Sequence, residues 1–139
     1  MSLSFFKTDK SLESEGVWIP LPTGDGEIKI ARIGNPEYKK LRSELERPYK
    51  KQIAVGGSIP EKKQTEILID CFSKTILKDW RNIPDWRLEN EDETKFVPFS
   101  VDVAAEALTD LEDFRNFVAE QALNLENYRA VKAEQAAKN

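Results

Sequence analysis

Apolar and polar positions alternate with period two in two short runs, Val17-Trp18-Ile19-Pro20-Leu21 and residues 27–33, where Ile28 and Ile30 are set between Glu27, Lys29 and Ala31. Thr23-Gly24-Asp25-Gly26 between them is a turn sequence, so residues 16–34 read as a β-hairpin with one apolar face. Pro20 and Pro22 cannot donate ladder hydrogen bonds, which puts the first strand at an edge. Two strands are marginally stable alone, so that face must pack on helices. Residues 1–15, polar apart from Phe5, Phe6 and Leu12, read as a flexible arm.

Beyond the hairpin the period lengthens. Asn35-Pro36 combines a capping side chain with a ring suited to the first helical position, and predicts a helix to about Arg47, stopped by Pro48. From Pro60 the pattern is strongly helical: Leu68, Phe72, Ile76 and Trp80 recur at i+4, which extends the predicted helix to Trp80 and places Cys71 inside it as a structural thiol. Residues 82–99 are irregular. They carry the acidic run Glu89-Asn90-Glu91-Asp92-Glu93 and read as an exposed hairpin tip whose stems return Trp86, Leu88, Phe96 and Phe99 to the core.

Ser100 caps a further helix marked by Ala104, Ala107, Leu108 and Leu111, and Thr109-Asp110-Leu111-Glu112 matches a capping box for another, over 111–123, with Leu111, Phe114, Val118 and Leu125 on one face and Phe117 and Ala122 alongside. Asn124 interrupts it, Leu125 to Arg129 resumes helix, and the end is polar and alanine-rich with only Val131 to bury. The expected fold class is mainly α: one helical domain over 1–139 with a small N-terminal β-hairpin, divided into arm (1–15), hairpin (16–34), helical body (35–128) and frayed tail (129–139).

Composition narrows the chemistry. The 139 residues suit a single core. With no histidine and one cysteine, imidazole bases, Ser-His-Asp triads, Cys-His dyads, thiolate zinc clusters and internal disulfides are all excluded. Asp110, Glu112 and Asp113 could pair as acid and base, but at a helix N-terminus carboxylates are expected for the helix dipole alone. The glycines at 24, 26, 56 and 57 have no phosphate-loop spacing, and the acidic run lacks a calcium-loop pattern. A non-enzymatic chain with no cofactor and no metal is expected.

The formal charge is −4, and the excess lies after residue 100, with eight acids against four bases. The densest basic stretch, Lys39, Lys40, Arg42, Arg47, Lys50 and Lys51, is interleaved with Glu37, Glu44 and Glu46 and reads as a solvated helix face, so nucleic acid is not an expected partner. No apolar run approaches the roughly 20 residues of a membrane span, and Lys7, Asp9 and Lys10 leave no signal-peptide core.

The order of the pieces is more specific than any one motif. Ile28-Lys29-Ile30-Ala31-Arg32 is followed by Asn35-Pro36-Glu37-Tyr38, by Ile76-Leu77-Lys78-Asp79-Trp80, by Val97-Pro98-Phe99-Ser100, by Leu108-Thr109-Asp110-Leu111-Glu112-Asp113-Phe114, and by Asn124-Leu125-Glu126-Asn127-Tyr128-Arg129. This arrangement resembles the tail assembly chaperones of long-tailed, siphovirus-type (lambda-like) bacteriophages, over most of the chain from about Phe6 to Tyr128. The resemblance implies a protein of the host cell cytoplasm, needed to build the tail and not expected in the mature virion. Its implied partners are the tape measure protein, which it shields, and the major tail protein, which it helps recruit; self-association is left open, and a programmed ribosomal frameshift often extends the C-terminus in this family. None of the motifs is catalytic.

On that reading Trp86, Phe96 and Phe99, which flank an acidic loop without a catalytic use, are the expected partner-binding residues, covering apolar stripes on the partner's helices. The alternative is a small helical structural or connector component that remains in the virion.

Overall fold

The computed structural model describes residues 2–130. A capped helix α1 (Lys10–Glu15) leads into β1 (Val17–Pro20) and β2 (Glu27–Ile30), then α2 (Pro36–Glu46), α3 (Lys50–Ala54), α4 (Glu61–Cys71), β3 (Leu77–Arg81), α5 (Val101–Asp110) and α6 (Glu112–Leu123). The molecule is a mainly helical single domain in which the N-terminal hairpin is widened into a three-stranded antiparallel sheet, in the order β1-β2-β3. β1 is at an edge, as Pro20 requires.

The third strand overturns the long helix expected up to Trp80. Helix α4 ends at Cys71, Phe72–Ile76 form a single π turn, and Leu77 to Arg81 pair with β2. Thr75 turns its hydroxyl back to the Cys71 carbonyl oxygen at 2.7 Å, and Ile76 accepts from the Ala31 amide at 2.8 Å, so the chain is drawn onto the free edge of β2. The i+4 step from Ile76 to Trp80 misled because both are buried although the chain changes from helix to strand between them. A bulge opposite Lys29 and Ile30 leaves Lys78 as the extra residue, and Leu77 and Trp80 both become buried; in a regular strand, residues three apart face opposite sides.

The expected flexible arm is also different. Asp9 caps α1 through the Leu12 amide, Asp9 donates its own amide to the Tyr128 carbonyl oxygen at 2.8 Å, and Thr8 bridges to Arg129. Leu12 and Glu13 turn inward on this helix, which is why the polar surroundings hid it; Glu13 is buried and reaches Arg32 and Thr8. Of the tail expected to fray from 129, Arg129 and Ala130 are paired with the arm. Val131 and the rest of that tail, 131–139, lie outside the described residues.

Asn35 caps α2 as its sequence position predicts, accepting from the Tyr38 amide at 3.0 Å. The Thr109 capping box does not form. Thr109 instead donates to the Ala105 carbonyl oxygen at 2.7 Å and stays in α5, so Leu111 is left as the joint before α6 without a side-chain cap. Helices α5 and α6 place Leu108, Val118 and Ala122 against Ile28, Ile30 and Ile76 of the sheet side, all essentially inaccessible. Each large apolar side chain so buried contributes about 1.5–3 kcal/mol, which fixes the sheet and the α5–α6 joint relative to each other.

Candidate functional site

The last buried side chain of β3, Trp80, anchors an aromatic cluster. Trp86 and Phe99 meet it edge to face, with ring centroids at 6.1 and 5.3 Å and interplanar angles of 88° and 89°. Such contacts add about 0.5–1.5 kcal/mol each beyond burial. The Trp80 Nε1–H donates to the Val97 carbonyl oxygen at 2.8 Å, and Val97 donates its amide to the Ile83 carbonyl oxygen at 2.8 Å, so the two stems of the 82–99 loop are tied to one ring. Trp86 differs: its Nε1–H is buried and meets no acceptor among the described residues.

Arg87 fastens the loop to α5. Its guanidinium forks onto both Asp85 carboxylate oxygens at 2.8 Å, donates to Glu106 Oε2 at 2.8 Å, and lies 5.3 Å from the centre of the Trp86 ring. The Arg87 hydrogen bonds hold the Asp85 carboxyl below its usual value. Further out, Asp92 closes an Asx turn by accepting from the Thr94 amide and hydroxyl at 2.9 and 2.7 Å, and these bonds lower its carboxyl as well.

These elements enclose an open cleft of about 490 Å³. Its apolar wall is built from Leu21, Ile83, Trp86, Phe96, Leu111 and Phe114, over a floor that includes Trp80 and the buried Gly26. Asp25, Glu91 and Glu93 stand on its rim. Phe96 is 47% exposed and Leu111 39% exposed, so the cleft presents apolar surface outward.

Of the three residues expected from the sequence to bind a partner, Trp86 and Phe96 line this cleft together. Phe99 stands apart from its lining and packs on Trp80 as part of the core. The expectation that Leu88 and Phe96 return to the core is corrected: both are about half exposed, because the loop closes on the short bridge between Pro84 and Phe96 rather than on a longer hairpin stem. Leu111 and Phe114 were read only as helix interior. Neither carried a local signal: the sequence offers Thr109 as the cap, and only the fold puts Leu111, which satisfies no amide, at that position.

The remaining candidates resolve simply. Cys71 is buried, and burial pushes its thiol up to about 11. In the basic stretch Arg42 is engaged with the Tyr38 hydroxyl at 2.8 Å and with Glu46 at 3.4 Å. Asp110, Glu112 and Asp113 are exposed around the α5–α6 joint. Among the described residues no three acids or thiols gather as a metal ion would require, and no helix is long and apolar enough to cross a membrane.

Residues 33–139 match the family described as YdaY prophage protein, and the chain belongs to that family. No curated protein and no solved structure matches it. The match begins after β2, yet Ile28 and Ile30 lie in the same core as the matched helices.

Proposed function

We propose that this phage-related protein is a non-enzymatic tail assembly chaperone, which binds and shields the tape measure protein and helps recruit the major tail protein during tail morphogenesis. It works in the host cell cytoplasm and is left out of the finished virion. The observation that carries the reading is the open cleft in which Trp86, Phe96 and Leu111 hold apolar surface toward solvent on a well-anchored frame. A partner's amphipathic helix can lay its apolar stripe there, and the shielding needs no bond made or broken.

Catalysis has no part in this mechanism. The chain has no histidine, and its single thiol is buried and protonated at neutral pH. The resemblance in the order of sequence pieces, together with membership of a prophage family, supports the tail-building role.

The test is co-expression with the tape measure protein encoded by the same prophage, scored by solubility and co-elution. The expected result is a soluble tape measure protein that co-elutes with this chain. Mass spectrometry of purified virions is the decisive counterpart: stoichiometric copies in the particle would overturn the chaperone reading in favour of a structural or connector component.

A further inference from the structure

We infer that the cleft between the β1–β2 turn, the 82–99 loop and the α5–α6 joint is the docking site for one class of partner: an amphipathic helix whose apolar stripe is flanked by lysine or arginine. The inference deepens the shielding reading and rests on it. Its basis is the contrast between the cleft's wall and its rim.

The wall is apolar, and the strands contribute one residue to the lining, Trp80 on the floor. The rest of the lining comes from the β1–β2 turn, the 82–99 loop and helices α5 and α6, so an incoming chain meets mainly side chains there. Side chains at i, i+3 and i+4 of a helix supply a compact stripe of that kind.

The rim selects by charge. Glu27 is paired with Arg81, and Asp85 and Glu106 with Arg87. Asp25, Glu91 and Glu93, exposed on the rim itself, form no ion pair with any described residue. Three uncompensated carboxylates around an apolar cleft attract cations beside an apolar stripe and repel phosphate or an acidic helix.

Two synthetic helical peptides of about five turns, roughly 18 residues, test this. They share one leucine stripe and differ in its flanks, lysine in one and glutamate in the other. Titration into the whole protein would be followed by tryptophan fluorescence and by heteronuclear NMR. The lysine peptide should bind at least about tenfold more tightly at low salt, with the gap closing as salt is raised, and shifts should centre on Trp86, Phe96, Leu111 and Phe114.

Charge reversal by Asp25→Lys, Glu91→Lys and Glu93→Lys together should invert the preference. These are exposed loop positions, and circular dichroism checks that the fold is kept. Leu111→Asp should weaken both peptides. Equal binding of the two peptides, binding of neither, a preference that survives charge reversal, or shifts centred on α2 and α4 would each overturn the inference.

The co-expression experiment separates this from the broader reading. If the charge-reversed protein still solubilises the tape measure protein, the cleft assignment falls and the chaperone reading stands. If the lysine peptide binds as described and the tape measure protein stays insoluble, the cleft assignment stands and the chaperone reading falls.

Discussion

The Tyr128 hydroxyl donates to the carbonyl oxygen of Ile30 at 3.1 Å, across 98 positions of sequence. Ile30 ends the central strand, and the bulge opposite it leaves that strand's final carbonyl available to a side chain. Tyr128 fills the space fully, while its own carbonyl oxygen accepts from the Asp9 amide at the start of α1. One residue thus joins the arm, the sheet and the end of the helical body. The pinned arm is far from the aromatic cleft along the strands, since Val17 pairs with Ile30 at one end and Pro20 with Glu27 at the cleft end.

Tyr128→Phe should therefore cost about 1–2 kcal/mol, since it leaves the ring packed and orphans one buried carbonyl. Tyr128→Ala should cost about 3–5 kcal/mol through the cavity as well. Urea denaturation at neutral pH measures both. A Phe variant as unstable as the Ala variant would mean that the hydroxyl, not the ring, organises this corner.

Asn35 uses its whole side chain. Its oxygen accepts from the Tyr38 amide at 3.0 Å, and its nitrogen donates to the Arg32 and Thr75 carbonyl oxygens at 2.8 and 3.3 Å. Asp is as good an N-cap as Asn in an exposed helix. Here Asn35→Asp would keep the cap and set a buried carboxylate against two carbonyl oxygens. It should destabilise by more than about 2 kcal/mol at neutral pH and recover partly in mild acid, where protonation restores a donor. Thermal melts of the variant at both pH values check this; equal melting for Asp and Asn would show that the two donations carry no weight.

The helix start at Asn35 and the cap at Ser100 were legible because each depends on residues within one turn. β3 was not, since its identity depends on an unsatisfied edge of β2, with Ile30 paired to Leu77 and Glu27 to Arg81 far along the chain, and on a bulge that gives it a helical period. The same limit governed the candidate site. Trp86 and Phe96 stood out as aromatics in an irregular loop, whereas Leu111 and Phe114 lay in a good helical pattern. Only the failure of the Thr109 cap turns Leu111 outward at the joint of α5 and α6. Local chemistry is written in the sequence near each residue; partnerships across the fold are written in pairs that no window contains.

Trp80 and Trp86 touch each other, and their indole N–H groups differ in one respect. Trp80 donates to Val97, and Trp86 has a buried donor without an acceptor among the described residues. Replacing each by Phe removes a similar volume. Trp80→Phe also orphans the Val97 carbonyl, whereas Trp86→Phe removes an unsatisfied donor, so Trp80→Phe should be the more damaging by about 1–3 kcal/mol. Chemical denaturation of the two variants makes the comparison. Equal losses would show that the Trp80–Val97 bond adds nothing beyond ring packing.

Glu13 gives the arm a pH dependence. Burial works to raise its carboxyl, but the hydrogen bond from Thr8, with Lys10 and Arg32 close by, outweighs this and holds it below its ordinary value of 4.5. A carboxyl lowered on folding stabilises the native state fully above its unfolded value and loses that contribution as pH falls through the folded one. The loss should therefore begin near 4.5 and be complete below the folded value. Glu13→Gln removes the titration, so the stability gap between wild type and variant should be largest near neutrality and shrink steadily below about pH 4.5. Because Glu13 sits on α1, the protection of the Leu12 and Asp9 amides against exchange, measured relative to the intrinsic rate at each pH, should fall in acid before that of the central strand. A gap that is constant from neutral to acid pH would show that the Thr8 and Arg32 contacts leave the Glu13 carboxyl unshifted in solution.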